Sequence, residues 1–294
     1  MRERKISSKH PQKTSKLSLQ NSPNTKKTQR HINEKNMKVA LIGAGNMGGA
    51  LAHGWMKSGK VELTVADKNE ELLAQFKKTY PKIKITTDNK EAVKGAEVVV
   101  LVVKPWLMPV VIGEIRDVLD VKKQLIVSDA ANYTTDKIKE ILGKEGEYFY
   151  VIPNIGAEYG VSMSFVSKAA YSSEKNAERV RALYALCGEA MMVAEKQVEA
   201  GMMMASCGIA YVMRFVRAMM EGGVEMGFYP KDAQTIAEQT MLGAVTLLKE
   251  SGLHPEAAID KVTTPGGVTI KGLNEMNAAG FNAAVVRALK AGMK

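Results

Sequence analysis

The sequence has little of what many catalytic chemistries need. Its 294 residues hold two cysteines, Cys187 and Cys207, and four scattered histidines, His10, His31, His53 and His254. There is no CxxC pair, no metal-ligand spacing and no arrangement resembling a Ser/His/Asp triad, so a disulfide scaffold, a metal site and nucleophilic hydrolysis all lack support. Each cysteine sits among small or apolar residues, which predicts buried free thiols in a reducing compartment and therefore a cytoplasmic protein. No uninterrupted apolar run reaches the roughly 18 residues of a membrane-spanning helix, so no membrane partner is expected. The net charge of +10 is also less informative than it looks. Residues 1–36 carry ten Lys/Arg against two Glu, a net of +8, and only +2 remains for residues 37–294. Nothing there asks for a nucleic acid partner.

The stretch 1–36 is rich in Lys, Ser, Thr, Asn and Gln and has no apolar periodicity, so it predicts a disordered basic tail. It also lacks the apolar core of a secretory signal. Met37 directly precedes the first apolar strand, and an upstream start assigned in error is the simpler origin of the tail.

What is present begins at that strand. Lys38-Val39-Ala40-Leu41-Ile42 runs into Gly43-Ala44-Gly45-Asn46-Met47-Gly48, a G-x-G-x-x-G loop with a strand before it and a helical pattern after it. The first glycine permits the turn and the second admits a pyrophosphate. The third lets helix pack on strand, and the helix N-terminus favours an anion. A second strand ends at Asp67, 24 positions after Gly43, near the usual place of the residue that reads the ribose. Asp67 suggests a free 2′-hydroxyl and NADH, whereas Lys68 beside it suits the 2′-phosphate of NADPH.

Strands are expected at 38–43, 61–66, 83–86, 97–103, 124–128 and 148–152, with helices between them, including 46–57 and 70–78. That alternation predicts an α/β fold, a Rossmann-type doubly wound parallel sheet over residues 37–168. Residues 169–294 read differently, as an all-α domain with helices at 174–186, 196–227 (broken near Gly208), 231–251 and 269–290. Methionine is dense there, which points to core and subunit packing and thus to a dimerising domain. Ligand-facing residues should follow the strands. Lys104-Pro105 follows the fourth strand, and Ser128-Asp129-Ala130-Ala131-Asn132 the fifth, where small residues let a nicotinamide ring lie against the backbone. Asp129 reads as a loop cap or a proton donor. Asn89 caps a helix or touches ribose.

One further segment stands out, Val262-Thr263-Thr264-Pro265-Gly266-Gly267-Val268-Thr269-Ile270. Pro265 ends any preceding helix, and Gly266-Gly267 clears side chains from what reads as a helix start. Its free N–H groups can hold a small anion, here a substrate carboxylate, with the Thr264 and Thr269 hydroxyls at either side.

Taken together, Ile42–Gly48, Asp88-Asn89, Val103-Lys104-Pro105, Pro153-Asn154 and above all 262–270 resemble the pyrroline-5-carboxylate reductases, which complete proline biosynthesis. The likeness runs from about Lys38 to Ala291. It implies a homo-oligomer, a dimer or larger ring of dimers, that reduces a cyclic imine carboxylate with NADPH (or NADH). NADPH is the commoner choice in the family. By position it assigns Gly43, Gly45, Asn46, Met47 and Gly48 to the pyrophosphate and Asn89 to ribose. Lys104, Pro105, Ala130 and Ala131 go to the nicotinamide, and Thr264, Gly266, Gly267 and Val268 to the carboxylate. Thr269 becomes the residue hydrogen-bonded to the ring nitrogen. It also implies an active site built between subunits. Two departures, Ile155-Gly156 and Ser206-Cys207-Gly208-Ile209-Ala210, fall at the expected substrate end. A 3-hydroxyacid dehydrogenase would share the plan but needs a lysine on its central helix, where Tyr211–Arg217 has none. A reductase of another cyclic imine and a non-catalytic dinucleotide-binding protein are the alternatives.

Overall fold

The computed structural model describes residues 36–293, so the expected tail at 1–36 lies outside the described residues except for Asn36. The first half alternates strand and helix. In order come β1 (Met37–Ile42), α1 (Asn46–Ser58), β2 (Val61–Ala66), α2 (Glu70–Thr79), β3 (Lys84–Thr86), α3 (Asn89–Val93), β4 (Val98–Leu101), α4 (Met108–Ile115), β5 (Leu125–Ser128), α5 (Thr135–Leu142) and β6 (Glu147–Ile152). Then follow β7 (Ser162–Lys168), α6 (Glu174–Ala185) and β8 (Gly188–Met192).

These strands make one sheet in the order β3-β2-β1-β4-β5-β6-β7-β8. Every neighbouring pair is parallel except β6 with β7. The chain builds outward from β1 to β3, then returns to lay β4 beside β1. This reversal opens a crevice at the carboxyl ends of β1 and β4, where α/β sheets bind ligands. β4 is Val-Val-Val-Leu and fully buried, because helices cover both faces.

Two apolar layers hold the helices to the sheet. On one face, Trp55 of α1 and Tyr184 of α6 pack over Val39, Leu41, Val100 and Phe149. Trp55 is wholly buried, its Nε1–H donates to Leu183 O at 3.0 Å, and its ring meets Tyr184 edge-on at 5.7 Å. On the other face, Met108 and Ile112 of α4 and Ile138 of α5 cover Val99, Leu101 and Ile126. Local signals agree with this packing. Asn69 caps α2 by accepting Leu72 N–H at 3.0 Å, with Glu70 and Glu71 in the first turn and Lys77 and Lys78 in the last.

Two strands escaped the sequence reading, and the sheet runs past the division expected at 168/169. β7 reads Ser-Met-Ser-Phe-Val-Ser-Lys, and of its buried residues only Val166 is aliphatic, while Ser162, Ser164 and Ser167 are buried hydroxyls. Their polarity is met locally: Ser162 Oγ accepts Asn154 N–H at 3.1 Å and lies 3.3 Å from Ser164 Oγ. β8 is a half-exposed edge of helix-favouring residues, Gly-Glu-Ala-Met-Met.

The helical half starts at α7 (Glu195–Gly201), passes through a π-helix (Met202–Cys207) into α8 (Gly208–Glu225), and continues with α9 (Pro230–Ser251), α10 (Pro255–Asp260), α11 (Val268–Ala278) and α12 (Phe281–Ala291). The break expected near Gly208 is instead a widened turn inside one continuous helix. The single helix expected at 269–290 is two, parted at Gly280 with φ +78°. α8 lies along α9, and α12 folds back on α8: Phe281 packs on Phe215 at 5.7 Å, and Tyr211 O–H donates to Ala288 O at 3.3 Å.

The continuous helix Glu195–Glu225 spans 31 residues, with mean hydropathy 1.2 in its most apolar window, of which 6% is buried. By length and composition it qualifies to cross a membrane, a feature not foreseen from uninterrupted runs alone. Its uncovered apolar face is shared by α9, where Leu242, Val245 and Leu247 are also exposed.

Candidate active site

A cleft of about 860 Å³ opens at the switch point, between the glycine loop, the ends of β4 to β6, and the π-helix with the start of α8. Of the residues expected at the cofactor, Gly43, Gly45, Asn46, Met47, Asp67, Lys104, Pro105, Ala130 and Ala131 line it. The glycine loop explains itself sterically. Gly43 has φ +97°, and a Cβ there would lie 2.5 Å from Val102 O. Gly48 is buried, and a Cβ would run into the Gly43 carbonyl, so its role is helix–strand closeness. Gly45, the N-cap of α1, has open space where a Cβ would go. No side chain caps α1, so its first N–H groups are left for an anion.

Asp67 sits at the end of β2 with both carboxylate oxygens engaged by backbone. Oδ2 accepts Ala44 N–H at 2.7 Å and Oδ1 accepts Asn69 N–H at 2.9 Å. Its charge is thereby pinned to the glycine loop. Lys68 turns away, its Nζ donating to Thr87 O at 3.3 Å, and it is not part of the cleft wall. Asn89 is absent from that wall too. It is buried at the start of α3, with Nδ2 donating to Glu114 Oε2 at 2.6 Å.

On the other wall, Ala130-Ala131 leads to Asn132, held at φ +60° by Tyr150, whose hydroxyl oxygen accepts Asn132 N–H at 3.0 Å. Asp129, read as a loop cap or a proton donor, is a buried acid. Tyr184 O–H donates to its Oδ1 at 2.6 Å, and Oδ2 has no partner among the described residues. Burial pushes the Asp129 carboxyl well above the usual carboxylate range, against the opposing pull of the Tyr184 hydrogen bond. The Tyr184 phenol is driven up as well, by burial first and by Asp129 next.

The far end of the cleft is mostly apolar. Ile155 lines it together with Met202 and Ser206 of the π-turn and Ile209 and Ala210 of α8. Asn154 ties the halves together here, donating from Nδ2 to Ala205 O at 3.3 Å and accepting Gly156 N–H at 2.9 Å. Both sequence departures thus reach the cleft, whereas nothing in the sequence marked Met202.

The segment 264–269 takes the expected shape in another place. Gly267 N–H donates to Thr264 O at 2.9 Å, Gly266 has φ +71°, and α11 starts at Val268. With Pro265 and Gly266 at its centre this is a type II turn. It presents the uncapped N-terminus of an 11-residue helix. Yet Thr264, Gly266, Gly267, Val268 and Thr269 are all missing from the cleft wall of their own chain, and Val268 is 83% exposed.

The fold and the cleft define a Rossmann-type oxidoreductase with an appended helical assembly domain. A family profile described as "NADP oxidoreductase coenzyme F420-dependent" matches residues 38–132, and one described as "Pyrroline-5-carboxylate reductase dimerisation" matches 195–294. The chain is 32% identical to pyrroline-5-carboxylate reductase 3 of Danio rerio, across 87% of its own length and 88% of the relative's. It is 31% identical to pyrroline-5-carboxylate reductase 1 of Dictyostelium discoideum, spanning 48% of that longer protein. The Plasmodium falciparum pyrroline carboxylate reductase structure with NADP bound superposes with a TM-score of 0.79 at 24% identity, covering 88% of this chain and 97% of that one. The protein belongs to the pyrroline-5-carboxylate reductase family.

Proposed function

We propose that this chain reduces 1-pyrroline-5-carboxylate to proline with a reduced nicotinamide dinucleotide. The observation that carries the reading is the presence, in one chain, of two anion cradles of different size. The Gly43–Gly48 loop opens on a dinucleotide-sized cleft, and the Thr264–Gly267 turn opens on bare helix N–H groups. The first fits a pyrophosphate, because the loop carries no side chain at Gly43, Gly45 or Gly48 and the first N–H groups of α1 have no side-chain cap. When bound, the cofactor supplies a hydride from C4 of its nicotinamide to the imine carbon.

The protein's part is positioning. Gly43, Gly45, Asn46 and Met47 hold the pyrophosphate, and Lys104, Pro105, Ala130 and Ala131 frame the nicotinamide end. The turn at Gly266-Gly267, with Thr264 and Val268, holds the carboxylate. Thr269 holds the ring nitrogen, accepting its N–H or passing it a proton. Because 264–269 is remote from its own cleft, the working unit is a homo-oligomer, a dimer or a ring of dimers, in which one copy's turn closes another's cleft. The exposed apolar faces of α8 and α9 support that pairing over a membrane contact. Two free cysteines, Cys187 buried and Cys207 partly so, support a cytoplasmic setting. We place the division between the halves at 193–194.

For the cofactor, the Asp67 carboxylate beside the glycine loop disfavours a 2′-phosphate, and Lys68 is turned away. Both support NADH, while the NADP-bound Plasmodium relative supports NADPH. Comparing KM for the two with pyrroline-5-carboxylate decides the preference. Fast cofactor oxidation with that substrate, and none with a 3-oxo acid, is expected. The apolar wall of Ile155, Met202 and Ile209 favours one second reading, a larger cyclic imine. Turnover of the six-membered piperideine carboxylate alone would establish that reading instead.

A further inference from the structure

Asp129 is the one acid of the cleft wall that the reaction above leaves without a task. Its N–H donates to Leu101 O at 3.0 Å, continuing the β5 ladder, so its position is fixed by the sheet. The residue is 8% exposed, next in the chain to Ala130-Ala131, and all three line the cleft. Tyr184 approaches Oδ1 from α6, and Oδ2 is buried with no partner among the described residues. A buried oxygen without a partner is unfavourable, so its presence calls for a reason.

The groups packed around the carboxyl are neutral or acidic, and Lys104, after β4, is the cation that shares its cleft wall. Tyr184 and, beside it, Cys187 face the acid from α6 and the turn after it; Tyr150 faces it from β6, and behind Tyr150 stand Glu195 and Glu199 of α7. Burial and the nearby acids favour the uncharged carboxyl, whereas the Tyr184 O–H, donating to Oδ1, favours the charged one. The nicotinamide ring is neutral when reduced and carries one positive charge when oxidised. A carboxyl buried behind the wall on which that ring would lie distinguishes the two states only when it is ionised.

We propose that the Asp129 carboxyl, held by Tyr184 in the cleft wall, sets the relative affinity of this protein for oxidised and reduced cofactor. Protonated, it treats both forms alike and lets the oxidised product leave. Ionised, it holds the cationic ring and slows release. Asp129 is thus a positioning residue acting through charge, and Tyr184 tunes it. The inference rests on the placement of the nicotinamide at Ala130-Ala131 proposed above.

The test is a set of dissociation constants for oxidised and reduced dinucleotide, measured on the full chain from about pH 6 to about pH 10. In the unaltered protein, affinity for the oxidised form should gain roughly tenfold on the reduced form as pH rises. In Asp129→Asn the ratio should stay flat. In Tyr184→Phe the change should move to higher pH, because the carboxylate loses a donor. A flat ratio in the unaltered protein, or an undiminished pH response in Asp129→Asn, overturns the proposal while leaving the cofactor site intact. Failure of either nucleotide to bind overturns the cofactor reading along with it. Should Asp129→Asn not fold, Tyr184→Phe decides, and an unmoved response rejects the idea.

Discussion

The two halves of this chain bury their apolar residues in different ways. In the sheet half, helices close both faces and two large clusters of nearly inaccessible side chains result, all within residues 39–187. Beyond Glu195, the buried hydrophobics are few: Val198, Met203, Ala233, Ala237 and Ala258. Val212, Leu242, Val245, Leu247 and Val286 stand between 46% and 50% exposed. Fully burying such side chains stabilises by about 1.5–3 kcal/mol each, and these faces are large enough to drive assembly. One half closes its own core and supplies most of the cleft wall. The other leaves an apolar face uncovered and carries the turn at Thr264–Gly267, the proposed substrate cradle.

That contrast can be broken most severely at the interface. Leu242→Asp with Val245→Asp should yield a monomer by light scattering. Turnover should fall about 100-fold or more, because an unpaired charge in a buried face costs several kcal/mol. Dinucleotide binding should survive. A fully active monomer would show that each chain completes its own site. In the finished half the matching change is Trp55→Ala, expected to lower stability by about 3–5 kcal/mol in urea unfolding through a cavity and an orphaned Leu183 carbonyl. A loss below about 1 kcal/mol would mean that the layer of α1 and α6 does not carry the fold.

At the substrate cradle, Thr269→Ala should cut turnover roughly 10- to 100-fold with little effect on dinucleotide binding. Unchanged turnover removes Thr269 from the reaction. Gly43→Ala should do the reverse. It places a Cβ against Val102 O at φ +97°, and should weaken dinucleotide binding about tenfold while the oligomer persists. The smallest effect concerns pH. Burial raises the Asp129 pKa in the folded chain, so above the unfolded value of about 3.9 the unfolded state binds fewer protons, and stability falls as pH rises toward the folded pKa. Asp129→Asn should therefore gain on the parent protein at pH 8 relative to pH 4 in denaturant titrations. Parallel stability profiles would mean that the Asp129 carboxyl titrates no differently in the folded and unfolded chain.

Much of the sheet was readable because its signals are local. β1, β2, β4 and the glycine loop lie where apolar runs and turn residues put them, and Asp67 closes β2 as spaced. β7 and β8 were not readable, since buried serines satisfied by each other and by Asn154 look polar in sequence, and an exposed edge strand carries no alternation. Lys68 and Asn89 were placed near the cofactor by position along the chain, and the sequence did not show which partners their side chains take. Thr87 O draws Lys68 outward, and Glu114 holds the Asn89 amide.

The sequence by itself determined the dinucleotide loop, the type II turn at Thr264–Gly267 and the division into an α/β and an α half. Each depends on steric limits that a few neighbouring residues impose on the backbone. Only the tertiary structure decided that Asp129 is a buried acid under Tyr184, that the π-turn and the start of α8 bring Ser206 and Ile209 to the cleft, and that the Thr264–Gly267 turn is absent from the cleft wall of its own chain. Those facts depend on which distant surfaces meet, and in the helical half an apolar face of α8 and α9 meets none within the described residues.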